Sequence, residues 1–320
     1  MHDRLGHDPL IDTHIASAPV SFGIWDESKP APTNPENLLA TIHTAGFKGI
    51  EVSPTKYFGR SAQDANDLLR KRHLRSAGTF LELPLFTSGD QTPQIVRDAV
   101  SYLERLDGNA ALIVADAGDA ERQADAGQPA KLNLSRRSKA QQRAAIDWLR
   151  RAAAQAGERG VEVLIHPHAG SYFESADEIA ALLDHTSCDQ LGICLDTGHA
   201  VLAGLDPVQL VRACQGRVRH VHLKDVDQNA MSRLARGEIN YETAWKQGLW
   251  PPLGTGLIDL VAILQELRRS GYDGWLVLEQ DRFEVHHSEY ADVARIEANS
   301  LDVLKRALVI TAGNEPKPTA

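Results

Sequence analysis

Eight short apolar runs, separated by amphipathic segments of helical period, constrain the fold of this chain more than any other feature. The runs cover 18–22, 49–52, 78–83, 111–115, 161–166, 192–196, 218–223 and 275–279. They are mostly continuous rather than alternating, the pattern of parallel strands covered on both faces. The segments between them carry their own boundaries. Asn34-Pro35 sets an N-cap before a first-turn proline, and Gly46 follows as a stop. Ser175-Ala-Asp-Glu178 reads as a capping box ahead of Ile179, Leu182 and Leu183. Asp206-Pro207 repeats the cap-then-proline opening, with Gly216 as its stop. Leu260, Ile263, Leu264 and Leu267 form one apolar face ahead of Gly271, and a last helix is expected over 288–308.

Strict β/α alternation of this kind predicts an α/β fold, a single-domain (β/α)8 TIM barrel. A doubly wound open sheet shares the alternation, but the Gly-rich phosphate turn it needs after the first strand is missing: Ser21-Phe-Gly-Ile-Trp25 holds one glycine. The expected division is an N-terminal extension over 1–14, the barrel over 15–310 and a flexible tail over 311–320 containing Glu-Pro-Lys-Pro. Two connections exceed the usual length, 117–138 after the fourth run and 227–256 after the seventh. Both leave the carboxyl-end face, where barrel enzymes build their sites. The second, with Trp245, Trp250, Pro251 and Pro252, is expected either to lie over the mouth as a lid or to decorate the surface.

Composition removes several function classes. Over 320 residues, 42% apolar and 24% charged residues exclude a disordered, collagenous or membrane-embedded chain. A net charge of −9 disfavours nucleic acid as a partner. The first ten residues lack the apolar core of a secretory signal, so a cytoplasmic location is expected. Cys188, Cys194 and Cys214 make no zinc or disulfide spacing and read as free thiols.

The chemistry sits at the ends of four consecutive strands. The fifth ends in His166-Pro-His168, the sixth in Asp196-Thr-Gly-His199, the seventh carries His220-Val-His222-Leu-Lys224-Asp225, and the eighth ends in Glu279-Gln-Asp281. Side chains alternate along a strand, so His220, His222 and Lys224 share a face, as do His166 and His168. Singly, each has a structural explanation, a packing histidine or an N-capping Asp. Jointly they suit a divalent cation, because ionisable groups are rarely placed inside a barrel without partners. The expected metal ligands are Asp196, His222, Glu279 and a fifth-strand histidine, with His166 ahead of His168. Oxygen and imidazole donors favour Mn2+, Co2+, Fe2+ or Zn2+ over Ca2+, and Cys194, one layer deeper than Asp196, is not expected to contribute. Lys224 faces the same side and could contact a hydroxyl or pair with Asp225 or Glu279. Glu51, Trp25 and His199 are candidates for substrate contact; salt-bridging or packing would equally account for Glu51 and Trp25.

On these motifs the chain resembles the xylose isomerase-like barrel superfamily of sugar isomerases and epimerases, and within it the inosose dehydratase branch. The resemblance runs from Ala18 to Leu308 and rests on His166-Pro-His-Ala-Gly170, Leu195-Asp-Thr-Gly-His199, His220-Val-His-Leu-Lys-Asp225, the Gly-Leu-Trp-Pro-Pro-Leu-Gly-Thr-Gly run ending at Gly256, and Leu278-Glu-Gln-Asp281. It implies one Mn2+ or Co2+ per chain, with Zn2+ or Fe2+ as alternatives, and a small polyol or keto-sugar as substrate. It leaves room for a homo-oligomer. Many relatives carry glutamate where this chain has His166, which disfavours a two-carboxylate epimerase mechanism. The implied activity is dehydration of a cyclic polyol ketone of inosose type through a metal-stabilised enediolate. His168, Glu279 and Lys224 are then the catalytic candidates, His168 acting as the acid with a titration between about 5.5 and 8. An isomerase or epimerase on the same metal site is the alternative, and a non-catalytic polyol-binding relative is the alternative of another class.

Overall fold

The structure, a computed structural model, describes residues 14–86, 92–108, 111–132, 134 and 136–312. Of the expected extension only His14 falls among them, and the expected tail lies outside them beyond Ala312. The strands are β1 (Ile15–Ser17), β2 (Gly49–Glu51), β3 (Arg75–Leu83), β4 (Ala111–Asp116), β5 (Val163–Ile165), β6 (Gly192–Asp196), β7 (Val218–Leu223) and β8 (Trp275–Leu278). All are parallel, neighbours follow sequence order, and β1 pairs with both β2 and β8. The result is a closed (β/α)8 TIM barrel.

One strand differs from the expectation. The first apolar run predicts a strand over 18–22, whereas the strand is Ile15–Ser17 and Pro19–Phe22 is a 3-10 turn. Pro19 lacks the N–H a ladder needs and fixes a turn-compatible φ. Gly23 closes the turn at φ 72°, and a Cβ there would meet the Val285 backbone nitrogen at 2.9 Å. The other runs coincide with strands to within a few residues.

The helices are α1 (Pro35–Ala45), α2 (Ala62–Lys71), α3 (Thr92–Leu103), α4 (Ala120–Ala124), α5 (Pro129–Leu132), α6 (Lys139–Gly157), α7 (Ala176–Asp184), α8 (Thr197–Leu202), α9 (Pro207–Ala213), α10 (Gln228–Ala235), α11 (Tyr241–Lys246), α12 (Leu260–Arg269) and α13 (Tyr290–Ala312). The boundary signals work as capping chemistry requires. Asn34 accepts from the Asn37 N–H, Asp206 from the Val208 N–H, and Glu178 reaches back to accept the Ser175 N–H at 2.8 Å at the start of α7. Outward strand residues such as Ile50, Val114, Ile165, Leu195, Val221 and Leu278 join helix residues including Leu38, Ile42, Leu149 and Leu264 in one continuous core. Ala111, Ile113, Leu164 and Cys194 form a separate buried cluster that includes the barrel interior.

Both long connections are folded. Residues 227–256 supply α10 and α11 and pack Val226, Ala230, Leu234, Ala244, Leu249 and Trp250 with Ala169 and Leu202 into a second apolar cluster. Trp245 donates to the Asp281 carbonyl at 2.9 Å and its ring lies 5.1 Å from that of Trp25. The segment is therefore a seated cover whose tryptophans tie the β7 and β8 connections together. On the other side, Arg122 of α4 is completely buried. It donates to the carbonyls of Ser171 (2.7 Å) and Leu132 (2.9 Å) and to Glu178 Oε2 (2.7 Å). Among the described residues no helix is long and apolar enough to cross a membrane.

Glu297 of α13 is buried against β1, where it accepts from Ser17 Oγ at 2.6 Å. Burial pushes its carboxyl up to about 7 against the opposing influence of Ser17, Arg282 and Ser21, and the Glu279 carboxylate adds to the rise. A carboxyl raised in the folded state stabilises the fold most below its unfolded value and loses that contribution as pH rises through about 7. Glu297→Gln, which keeps an acceptor for Ser17, is expected to flatten the fall in unfolding free energy between pH 4.5 and 7 by about 3 kcal/mol. Urea titrations across that range measure it, and parallel pH profiles for both proteins would contradict it.

Candidate metal centre and active site

The sixth strand shows how the backbone builds the site. β6 runs directly into α8, so Asp196 is at once the last strand residue and the N-cap of the helix. Its Oδ1 accepts from the His199 N–H at 2.9 Å. The capping explanation for Asp-Thr-Gly-His is thus correct for one oxygen. The other, Oδ2, is buried, has no hydrogen-bond partner and faces the seventh strand. Thr197 Oγ1 donates to the Lys224 carbonyl at 2.7 Å and accepts the Lys224 N–H at 2.9 Å, locking β7 to the start of α8. Gly198 permits the close packing: a Cβ there would meet Trp250 at 2.6 Å and Lys224 Cγ at 2.9 Å.

Four donor atoms gather in the barrel mouth. His222 Nδ1 lies 3.1 Å from His166 Nε2, 3.2 Å from Glu279 Oε2 and 3.7 Å from Asp196 Oδ2, and His166 Nε2 lies 3.6 Å from Asp196 Oδ2. All four residues are buried. Ligand bonds of about 2.1 Å place neighbouring donors roughly 3.0–3.4 Å apart around one cation, so these spacings fit a divalent ion. The mixed carboxylate–imidazole set points the same way.

Beneath this group, Glu51 Oε1 accepts from both His220 Nε2 and His222 Nε2 at 2.8 Å. A carboxylate can only accept here, so His222 carries a hydrogen on Nε2, and its Nδ1 is the atom that faces the group above. Burial alone would raise the Glu51 carboxyl, but His222 and His220 outweigh it and hold it far below the usual range. The Lys224 ammonium lies 2.8 Å from Asp281 Oδ2, 2.9 Å from Glu279 Oε2 and 3.2 Å from Asp196 Oδ2. Burial would lower the pKa of this lysine; the three carboxylates win and keep it well above its ordinary value. Its partners are therefore Asp196, Glu279 and Asp281, and the Asp225 carboxylate is used elsewhere, accepting from the backbone N–H groups of Gly254, Gly256 and Ile258.

The second histidine of the fifth strand sits apart from the four donors. His168 Nδ1 donates to the Ala169 carbonyl at 2.9 Å, and its ring lies 3.9 Å from that of His199. Burial, with His166 and Lys224 nearby, pushes its pKa down to about 3. The expected titration between 5.5 and 8 does not belong to this residue, because the desolvated pocket beside an ammonium disfavours the imidazolium. His199 Nδ1 accepts from the Ala169 N–H at 3.2 Å, which puts its hydrogen on Nε2, and that buried atom has no partner.

A family profile described as xylose isomerase-like TIM barrel matches residues 39–306. The chain belongs to that family. The inosose dehydratase of Geobacillus kaustophilus (strain HTA426) is 28% identical over 264 residues, covering 81% of this chain and 85% of that protein. Two solved structures of similar fold are an L-ribulose 3-epimerase (18% identity, TM-score 0.68, 96% of this chain and 100% of that one) and the IolI protein with a bound zinc atom (14% identity, TM-score 0.68, 92% and 99%).

In this xylose isomerase-like barrel, the structure brings together His166, Asp196, His222, Glu279 and Lys224, with Glu51 behind them and His168 and His199 beside them. Trp25 stands at the rim, its indole donating to the Phe283 carbonyl at 3.1 Å, packed against Trp245 and Phe283. Sequence reasoning assigned no role to Asp281 or Tyr241 and named Trp250 only as part of a possible lid. Asp281 shares the parity of Glu279, which is the signal that would have found it. Burial pushes its carboxyl up to about 7, and its Oδ1 is buried without a partner. Trp250 is buried with its ring 5.1 Å from His199 and 5.1 Å from the Lys224 ammonium, and Tyr241 lies against the same ring at 6.4 Å. Nothing local in the β7 connection marks Tyr241 as facing the site.

Proposed function

We propose that this enzyme is a divalent-metal-dependent lyase that removes water from a cyclic polyol ketone of inosose type. Its family and its relatives make it an enzyme of the dehydratase or sugar isomerase/epimerase type. The observation that carries the finer reading is the replacement of a second catalytic carboxylate by an imidazole pair: His166 faces the donor cluster while His168 stands free of it.

His166 Nε2, Asp196 Oδ2, His222 Nδ1 and Glu279 Oε2 would hold the ion, Mn2+ or Co2+ by the donor set and the family likeness. When bound, such an ion supplies Lewis acidity toward a substrate carbonyl and hydroxyl. Glu51 keeps His222 in the tautomer that offers Nδ1. His168, neutral with its lone pair on Nε2, would accept the proton from the carbon beside the ketone, the negative charge developing on the substrate offsetting the burial that otherwise disfavours its imidazolium. Returned to the departing β-hydroxyl, the same proton leaves as part of water, so no external acid is required. The Lys224 ammonium, its three N–H donors directed at three carboxylates, supplies positive charge beside the substrate, and the His199 Nε2–H is the free donor for a substrate oxygen. Trp25 contributes an apolar wall at the rim.

His168→Asn is expected to retain stoichiometric metal while its kcat falls at least about 100-fold. His166→Asn is expected to lose both metal and turnover. Elemental analysis and steady-state rates on the same preparations test the pair, and near-normal turnover in His168→Asn would remove it from the mechanism.

A further inference from the structure

Cys194 lies on the inward face of β6 one layer below Asp196. It pairs in register with His220, as Asp196 pairs with His222. It is fully buried among Ala111, Ile113 and Leu164, where a small apolar residue would serve the packing equally well. Its sulfur is not isolated, however. The Cys194 Sγ and one ring nitrogen each from His166 and His222 all lie within 4.8 Å of one another. His166 Nδ1, also buried, has no hydrogen-bond partner.

We propose that Cys194, His166 and His222 form a deeper cation seat that accepts soft divalent ions such as Zn2+ and Cd2+ in place of the ion held by the oxygen-rich group above. Two imidazoles and a sulfur are the donors that soft ions prefer, and a hard ion such as Mn2+ gains nothing from sulfur. Bond lengths of about 2.0–2.1 Å to nitrogen and 2.3 Å to sulfur require the three donors to close in by roughly an ångström from a separation of up to 4.8 Å. Binding replaces the S–H bond by a sulfur–metal bond and releases that proton to solvent. Because His166 and His222 belong to both groups, the two seats exclude each other. The barrel thereby sorts ions by depth: a hard ion rests at the mouth, and a soft ion sinks one layer and displaces it. This inference goes beyond the dehydratase reading and needs only that the same imidazoles bind metal.

The test uses full-length protein carrying Cys188→Ser, which removes the exposed thiol. Cd2+ added to metal-free protein is expected to produce a sulfur-to-cadmium charge-transfer band in the ultraviolet that saturates at one ion per chain. In protein preloaded with Mn2+, the same addition should release the free Mn2+ resonance signal. Introducing Cys194→Ser should abolish the band and weaken Cd2+ binding by more than the ~100-fold that loss of an outer-sphere partner costs. Mn2+ binding should persist. Cys194→Ala provides a second readout if the serine variant does not fold. A band that survives in both variants, no band in the parent, or simultaneous binding of Cd2+ and Mn2+ would overturn the proposal. If the dehydratase reading alone is wrong, all three spectroscopic results stand unchanged.

Discussion

Asp196→Ala protein is expected to purify without stoichiometric metal and with turnover reduced at least about a thousand-fold, the ~4 kcal/mol or more that a catalytic ion contributes. Two losses combine at this residue. Oδ1 caps α8 through His199, worth about 1 kcal/mol to the fold, and Oδ2 is the buried oxygen that stands among the four donors. Asp196→Asn separates them, since an amide oxygen still caps the helix while the charge is gone. It should match the alanine variant in metal content and exceed it in stability. Elemental analysis of both variants decides the point, and stoichiometric metal in Asp196→Ala would overturn the ligand assignment.

Arg122→Ala is expected to lower the unfolding free energy by about 3–5 kcal/mol. The guanidinium is wholly inside the protein and holds Glu178 at 2.7 Å and Glu174 at 3.7 Å, together with two carbonyls. Removing it strands carboxylates and carbonyls in a space that water does not reach. Glu174 is already pushed up to about 7 by burial despite the arginine. The damage falls on the connections after β4 and β5, the walls that carry His168 and Ala169. A urea midpoint within about 1 kcal/mol of the parent protein would show that the pair of glutamates is tolerated without it.

The barrel and the gathering of the strand-end residues at one mouth were legible in the sequence because both depend on local period, which left His166 and His168 undistinguished. Alternation along a strand put His220, His222 and Lys224 on one side and Asp196 on another strand's inward side, and closure of the sheet did the rest. β6 and β7 appear at their expected bounds. The first strand was misplaced because Pro19 and Gly23 convert an apolar run into a turn. Relations that depend on depth or on distant partners stayed hidden. Glu51 ends a strand as expected, yet its carboxylate is spent beneath His222 instead of reaching the mouth. Cys194 has the parity of Asp196, but only the register of β6 with β7 shows its sulfur beside two imidazoles. Burial of Arg122 against Ser171 and Glu178, and the Lys224 charge that helps to keep His168 neutral, arise from residues dozens of positions away.

The central claim is loss of water from a cyclic polyol ketone, and mass spectrometry of the product tests it most directly. Wild-type protein loaded with Mn2+ is incubated with inosose and the product mass compared with that of the substrate. The proposal predicts a product lighter by one water, formed with a gain of enone-type absorbance and absent with His168→Asn. A product of unchanged mass would make the enzyme an isomerase or epimerase and contradict the proposal.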